Sequence, residues 1–312
     1  MIYESKEVVL RGKRQTILLE GKSEKSPVMI MLHGGPWGPV LYGEAYRGFY
    51  PELAEKYILV WWDQYGCGKN YVKDPGALVV EDLAKMTVDL TDEMHRIFPE
   101  NKIILNGLSF GAYLATYAAH RRRDNVSGVI ILGPIMDMKR AAENFYRACE
   151  SHLSKKEKTL LEQSKTPFAY LNTVCDLAEK YTNCAHYKGK EASDSLTKKW
   201  LLRLFTSKDY RLRDRIGVLK TAAAVGKKNT GFWDSLVDVN ITQITEELTA
   251  PVLYLQGECD LYILPEEMEK IAARHENMRY VKLKNCGHVP TKEAWQIMLG
   301  EMTEFANRLE QG

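Results

Sequence analysis

Residues 102–115 read Lys-Ile-Ile-Leu-Asn-Gly-Leu-Ser-Phe-Gly-Ala-Tyr-Leu-Ala. The apolar run at the start predicts a buried strand, and the alanine-rich end predicts a helix. Between them stands Gly107-Leu-Ser109-Phe-Gly111, a Gly-x-Ser-x-Gly motif in the strand–turn–helix context of a nucleophile elbow. Small residues at both ends of the motif let strand and helix approach closely, and the helix N-terminus favours developing negative charge. Ser109 is therefore the first candidate for a catalytic nucleophile.

Short apolar runs recur along the chain and alternate with helical patterns, which predicts an α/β fold. The first two runs flank a turn at Gly12 and predict an antiparallel hairpin. Most of the others are continuously apolar, as expected for strands that are covered on both faces. The predicted strands are 8–10, 15–19, 28–32, 57–62, 102–105, 126–132, 252–255 and 280–283, the last near the sheet edge. The predicted helices between them are 83–97, 112–119 and 294–309.

The alternation stops between Ile135 and Thr245, where the pattern is helical throughout. We therefore expect a core built from residues 1–134 and 246–312, with a helical lid, or cap, inserted at residues 135–245. This segment has more basic than acidic residues. Its charge fits either an ordinary solvated surface or the steering of an anionic substrate.

Composition limits the class of protein. The chain has 312 residues, of which 45% are hydrophobic and 27% charged, which is typical of a globular protein and excludes disorder. A net charge of +2 argues against a nucleic-acid partner. No apolar run reaches the roughly 18 residues that span a bilayer, and the first residues do not form a signal peptide. The six cysteines lack a Cys-x-x-Cys pair and fit reduced thiols. We expect a cytoplasmic enzyme without a membrane partner.

A second motif, His33-Gly-Gly35-Pro-Trp37, directly follows the third predicted strand. Acyl transfer needs two backbone N–H groups aimed at the oxyanion. One is expected from Phe110, the residue after the nucleophile, and the other from this loop. Proline has no N–H, so Gly35 is the first choice and Trp37 the second. We interpret His33 as a residue that shapes the loop rather than as the catalytic base.

Two further candidates follow the last two predicted strands. A serine needs a general base, and the imidazole that serves it needs a carboxylate on its other nitrogen. Asp260 and His288 both stand just past strand ends, where α/β sheets keep their sites. The chain order Ser109, Asp260, His288 is the order expected for this elbow. Glu258 and Asp137 are rivals for the acid, and Asp260 ranks first.

With these motifs the chain resembles the α/β-hydrolases and, more narrowly, the proline iminopeptidase branch of the serine peptidases. That branch carries His-Gly-Gly-Pro after its third strand, as here, and Asp-Gln-Arg-Gly-x-Gly-x-Ser after its fourth. This chain reads Asp63-Gln-Tyr-Gly-Cys-Gly-Lys-Asn70. Tyr65 and Asn70 replace the family's arginine and serine, which bears on specificity rather than on the hydrolytic mechanism, and we expect the loop to be a structural support. The resemblance implies a mostly parallel eight-stranded sheet with helices on both faces and an inserted helical lid.

The resemblance also implies an activity. We expect an aminopeptidase that releases proline or another small N-terminal residue from a small-molecule or short-peptide substrate, through an acyl-enzyme and without a metal or organic cofactor. A carboxylesterase or amidase is the alternative, and a non-catalytic ligand-binding member of the fold is a third hypothesis. In the family, acidic lid residues bind the substrate's amino terminus. The substrate-binding candidates here are Trp37, Glu143, Glu150 and Asp234.

Overall fold

An eight-stranded sheet forms the centre of the computed structural model, which describes residues 1–38, 51–182, 184, 202–228 and 230–311. The strands are β1 Ile2–Leu10, β2 Lys13–Gly21, β3 Val28–Leu32, β4 Ile58–Trp62, β5 Ile103–Leu108, β6 Gly128–Leu132, β7 Val252–Gly257 and β8 Met278–Leu283. Their order across the sheet is β1-β2-β4-β3-β5-β6-β7-β8. The β1–β2 and β2–β4 pairs are antiparallel, and the other pairs are parallel. The predicted sheet and the edge position of its last strand are confirmed.

The predicted hairpin turn lies at Arg11 and Gly12, which have φ angles of 50° and 73°. Two successive positive φ angles match the right-handed twist of the flanking strands, and glycine adopts such an angle without steric cost. The turn pairs Leu10 with Lys13 and sets the register of the whole β1–β2 ladder.

Eleven α-helices are present among the described residues, and the predicted ones are found close to their expected positions. They are α1 Pro51–Lys56, α2 Val80–Ile97, α3 Phe110–Arg121, α4 Met138–Cys149, α5 Lys155–Glu162, α6 Pro167–Thr182, α7 Leu212–Lys228, α8 Thr230–Val237, α9 Thr242–Glu246, α10 Pro265–Ala272 and α11 Lys292–Gln311. The three predicted helices correspond to α2, α3 and α11. Within the described ranges, no helix combines the length and the apolar character needed to cross a membrane.

Helices cover both faces of the sheet, as β3 shows. Val28, Ile30 and Leu32 belong to a buried cluster that includes side chains of α2 and α3. Met29 and Met31 point to the other face and join a cluster that includes side chains of α1 and α11. Because successive strand residues face opposite sides, a strand of five apolar residues is the pattern required by a sheet with two covered faces.

Between β6 and β7 the described residues form helices α4 to α9, with no named strand among them. The two ends of this segment meet where Asp137 forms an isolated β-bridge with Asn240. The Asn240 side-chain amide also donates a hydrogen bond to Asp137 Oδ2 over 2.6 Å. This helical content agrees with the sequence pattern, whereas the division into core and lid stays a prediction. Residues 183, 185–201 and 229 of the segment lie outside the described residues.

The junction of β5 and α3 is packed without spare space. A Cβ atom on Gly107 would lie 2.3 Å from the carbonyl oxygen of Gly111. A Cβ atom on Gly111 would lie 2.0 Å from the carbonyl oxygen of Leu32 in the neighbouring strand. Both distances are far below van der Waals contact, and the obstructing atoms are backbone. Only glycine at these two positions allows the helix to start so close to the sheet.

We expect Gly111→Ala to lower the free energy of unfolding by roughly 3 kcal/mol, because the methyl group forces α3 away from β3. Gly300→Ala in α11 is the matched control, since its Cβ atom would have no neighbour within 4 Å. The control should gain up to about 1 kcal/mol by stiffening the helix. Urea denaturation measures both variants. Equal stability of the Gly111→Ala variant and the wild type would contradict the close packing.

Candidate active site

Ser109 stands on a strained turn between β5 and α3. Its φ and ψ angles are 53° and −115°, a region that residues with a side chain rarely adopt. The strain is held by neighbouring backbone bonds: the Ser109 N–H donates to Leu132 O over 2.9 Å, and Ser109 O accepts from Ala112 N over 2.7 Å. Such strain persists where the surrounding structure fixes it. The turn places the half-buried serine at the N-terminus of α3.

The imidazole of His288 lies between Ser109 and Asp260. His288 Nε2 is 2.8 Å from Ser109 Oγ, and His288 Nδ1 is 2.8 Å from Asp260 Oδ2. An ionised carboxylate only accepts hydrogen bonds, so His288 Nδ1 carries the proton and donates the hydrogen bond to Asp260. Nε2 is then left to accept the serine hydroxyl proton. The three residues form one continuous hydrogen-bonded chain, with Asp260 fully buried at its end.

The two rival carboxylates have other partners. Asp137 caps α4, where its Oδ1 accepts hydrogen bonds from the first backbone amides of the helix. Glu258 is exposed, and its Oε1 accepts the Asn285 N–H over 2.6 Å. The carboxylate that reaches His288 is therefore that of Asp260.

The two predicted oxyanion donors border the same cavity as Ser109. Phe110 is the first residue of α3, and the N–H groups of a first helical turn have no acceptor within the helix. Gly35 has a φ angle of 116°, and a Cβ atom there would lie 2.5 Å from Gly38 N. Trp37, the second choice, donates its N–H to Gln64 Oε1 over 3.2 Å. Gly35 and Phe110 thus stay the predicted pair.

His33 connects the loop that follows β3, residues 33–38 and called here the glycine loop, to the loop after β4. Its Nδ1 donates to Gly34 O over 3.0 Å, and its Nε2 accepts the Gln64 N–H over 3.0 Å. The Gln64 side-chain amide donates back to His33 O over 2.8 Å. Burial lowers the pKa of His33 to about 4, so the ring is neutral near pH 7. His33 shapes the loop and lies outside the Ser109–His288–Asp260 chain.

The loop that departs from the family motif is held by buried polar contacts. The Asp63 carboxylate is fully buried and accepts hydrogen bonds from Tyr210 Oη, at 2.7 and 2.8 Å, and from Lys69 N, at 2.8 Å. Burial raises the pKa of Asp63 to about 7. The Asn70 side chain donates to Asp63 O over 2.6 Å and accepts the Thr16 N–H over 2.7 Å. The residue that replaces the family's serine therefore joins this loop to β2.

A cavity of about 200 Å³ opens beside Ser109. Three helices of the segment between β6 and β7 supply most of its wall. The lining residues besides Ser109 are Gly35, Pro36, Phe110, Ile135, Met138, Phe168, Leu171, Asn172, Cys175, Trp233, Leu236 and Tyr262. The described part of this wall carries no charged side chain. Among the described residues, no group of three His, Cys, Asp or Glu side chains is arranged to hold a metal ion.

Comparison with known proteins gives the family. A profile of the alpha/beta hydrolase fold matches residues 27–294. The chain belongs to this family. Its curated relatives include a probable aminopeptidase, YbaC, of Bacillus subtilis, 23% identical over 97% of this chain and 94% of the relative. A proline iminopeptidase of Thermoplasma volcanium is 24% identical over 86% of this chain and 85% of the relative. The predicted resemblance to the proline iminopeptidase branch is confirmed.

Solved structures agree with this fold. A crystal structure of a proline iminopeptidase from Mycobacterium smegmatis superposes with a TM-score of 0.67 at 17% identity, and the match covers 99% of both chains. The crystal structure of VinJ also gives a TM-score of 0.67, at 18% identity over 98% of this chain and 99% of the other. At these identities the likeness establishes the α/β-hydrolase architecture.

The three predicted acidic lid residues of this α/β-hydrolase do not line the cavity beside Ser109. Glu143 is exposed and lies 3.6 Å from Arg147 on the same helix. The amphipathic helix α4 buries its other face, including Phe145, and so turns Glu143 outwards. Glu150 is exposed after the end of α4, and Asp234 is half-buried beside Trp233. The structure therefore places these three substrate-binding candidates outside the described wall of the cavity, contrary to the role predicted for them.

Trp37 lies behind the cavity wall rather than on it. The side chain is buried, and its Nε1 donates to Tyr65 O over 2.8 Å. Its ring lies 4.2 Å from the ring of Phe232 and 5.9 Å from that of Trp233, measured between centroids. Trp233 lines the cavity, so Trp37 supports the wall from behind instead of binding substrate as predicted.

Sequence reasoning missed most of the wall. Phe168, Leu171, Asn172 and Cys175 fall at helical spacing on α6, a pattern that equally describes a helix face packed into a core. Tyr262 stands two residues after Asp260, and this closeness in the chain is the one sequence feature that could have placed it at the cavity. Which face of each helix turns towards Ser109 follows from tertiary packing.

We expect acid to destabilise the wild type more than a His33→Gln variant. In the unfolded chain the His33 imidazole has its ordinary pKa of about 6.5, whereas in the folded protein its pKa is about 4. The unfolded state therefore binds the proton first, and the free energy of unfolding falls as the pH decreases through this range. From pH 7 to pH 5 the wild type should lose about 2 kcal/mol more free energy of unfolding than the variant. Urea denaturation at both pH values measures this difference.

The matched control for this experiment is His95→Gln, which changes an exposed histidine on α2. It should keep the pH dependence of the wild type. Because wild type and variant share every other titrating group, the difference isolates His33. Parallel stability curves for the wild type and His33→Gln would show that the ring is accessible to protons in the folded protein.

Proposed function

We propose that the protein is a serine hydrolase that cleaves an ester or amide bond through an acyl-enzyme. The observation that carries the proposal is the pair of 2.8 Å contacts that join Ser109 Oγ to His288 Nε2 and His288 Nδ1 to Asp260 Oδ2. Nucleophile, base and orienting carboxylate are in hydrogen-bond contact, which is the arrangement that activates a serine of ordinary pKa.

In the proposed mechanism Ser109 Oγ attacks the substrate carbonyl carbon while His288 Nε2 takes the hydroxyl proton. Asp260 stabilises the imidazolium that forms and holds it in place. The N–H groups of Gly35 and Phe110 bind the negative oxygen of the tetrahedral intermediate. His288 then gives its proton to the leaving group. Water attacks the acyl-enzyme with His288 again as the base, which releases the acid and restores Ser109.

Within this class, the first candidate is a proline iminopeptidase-like aminopeptidase that acts on small N-terminal residues. The names of the curated relatives support it, since one is a probable aminopeptidase and another a proline iminopeptidase. The size of the cavity also supports it, because about 200 Å³ beside Ser109 suits a small acyl side chain.

A second candidate is a carboxylesterase or amidase for an uncharged acyl group. The observation that favours it is the absence of a charged side chain from the described cavity wall. A substrate ammonium taken out of water needs a compensating carboxylate, because an unpaired buried charge is too costly. A neutral acyl group needs only the apolar contacts of Phe168, Leu171 and Trp233.

The proposed nucleophile is tested with an alkyl fluorophosphonate, which labels activated serines. Wild type should be labelled and Ser109→Ala should not, with a loss of turnover of several powers of ten. Ser23→Ala, at an exposed turn, is the matched control and should label as the wild type does. Labelling that survives Ser109→Ala would place the nucleophile elsewhere and overturn the proposal.

The two candidate substrates are separated with an aminoacyl anilide and its N-acetylated twin. For an aminopeptidase, acetylation should lower kcat/KM by an amount equivalent to roughly 3 kcal/mol or more of transition-state stabilisation. The reason is that the group that binds the substrate ammonium is left unpaired. An esterase or amidase should hydrolyse the acetylated compound at least as fast. Steady-state kinetics on both compounds gives the ratio, and equal rates would reject the aminopeptidase.

A further inference from the structure

Tyr262 lies against the imidazole of His288. The two ring centroids are 4.2 Å apart and the ring planes are inclined by 38°. The residue follows β7 and stands two positions after Asp260, on a part of the chain held by the Asn144 side-chain amide, which donates to Leu261 O over 3.2 Å. The proposed mechanism gives this aromatic ring no role, although it is the ring packed on the proposed catalytic base.

The backbone of Tyr262 also contacts the acid. Its N–H donates to Asp260 Oδ1 over 2.9 Å, while Asp260 Oδ2 faces His288 Nδ1. Both carboxylate oxygens are therefore engaged, one by the imidazole and one by the residue whose ring covers that imidazole. A carboxylate held at both oxygens cannot rotate away from His288 without breaking a buried hydrogen bond.

Tyr262 itself is clamped by two helices. The ring of Phe145 on α4 meets it edge-on, with centroids 5.0 Å apart and planes at 88°. Its hydroxyl lies close to the thiol of Cys175 on α6. Burial raises the pKa of the Tyr262 hydroxyl well above its usual range, so the group stays neutral. The ring is thus held by packing between α4 and α6, and one ring face remains for His288.

This arrangement acts on His288 in two ways. The ring limits tilting of an imidazole that two hydrogen bonds alone would leave free to rock about the line joining Ser109 and Asp260. A displacement of about 1 Å in such a constellation costs on the order of 100-fold in rate. The ring face also attracts a cation at this distance, so the contact strengthens when His288 becomes an imidazolium during the reaction.

We propose that Tyr262 is a positioning residue for His288, and that its ring holds the imidazole on Ser109 while it connects the base to α4 and α6. The inference rests on the proposed serine hydrolase function. It predicts that the aromatic ring matters and that the hydroxyl matters little. Because the contact is made to the base, its loss lowers the reactivity of Ser109 more than it lowers substrate affinity.

The test compares Tyr262→Leu with Tyr262→Phe. The readouts are the rate of fluorophosphonate labelling and the separate values of kcat and KM. Tyr262→Leu should lower the labelling rate and kcat by about 10- to 100-fold, with a much smaller change in KM. Tyr262→Phe keeps the ring and should restore most of the lost rate. If Tyr262→Leu does not fold, Tyr262→Met carries the same comparison.

Tyr146→Leu is the matched control, because it removes a half-buried ring of α4 that lies outside the cavity lining and outside the ring contacts of Tyr262. It should label within about threefold of the wild type, as a change remote from the reacting groups does. Wild-type labelling by Tyr262→Leu, or an equal loss in Tyr146→Leu, would overturn the positioning role while leaving Ser109 as the proposed nucleophile. Absence of labelling in the wild type would instead reject the proposed function itself.

Discussion

The contact between Gly111 and the carbonyl oxygen of Leu32 is the constraint on which the site depends. It lets α3 begin against β3, so that the chain turns sharply at Ser109 and adopts a positive φ angle there. The glycine loop follows Leu32 directly, and a Cβ atom on Gly34 would already lie 3.0 Å from the Ser109 side chain. Ser109 and the predicted oxyanion donors are thus neighbours, because glycine at positions 34 and 111 lets the two backbone segments lie in contact.

Buried polar groups then hold the loops around this contact. His33 joins the glycine loop to Gln64, and Asp63 joins the next loop to Tyr210. Each of these side chains is buried with hydrogen-bond partners that offset the loss of water. The loops therefore reach a defined conformation before any substrate arrives, which lowers the cost of organising a transition state.

Much of the sheet could be predicted from the sequence because buried strands are continuous apolar runs. The edge strand β1 was predicted only at 8–10, since most of its first half is exposed and polar, and its alternation is weak. The order of Ser109, Asp260 and His288 was readable from motif and strand ends. The cavity wall could not be predicted. Phe168 on α6 lines the cavity and Glu143 on α4 points away from it, and packing between the helices decides which face of each helix turns inwards.

The bridge between Asp137 and Asn240 brings the two ends of a segment of about one hundred residues to adjacent positions beside the sheet. Because its two ends are adjacent, the segment connects β6 to β7 over a short distance regardless of its length. A change in the length of the segment between the bridged residues therefore need not move β6 or β7. The segment supplies most of the described cavity wall and none of Ser109, Asp260 or His288. A change in the segment can therefore reshape the cavity while the three proposed catalytic residues keep their positions.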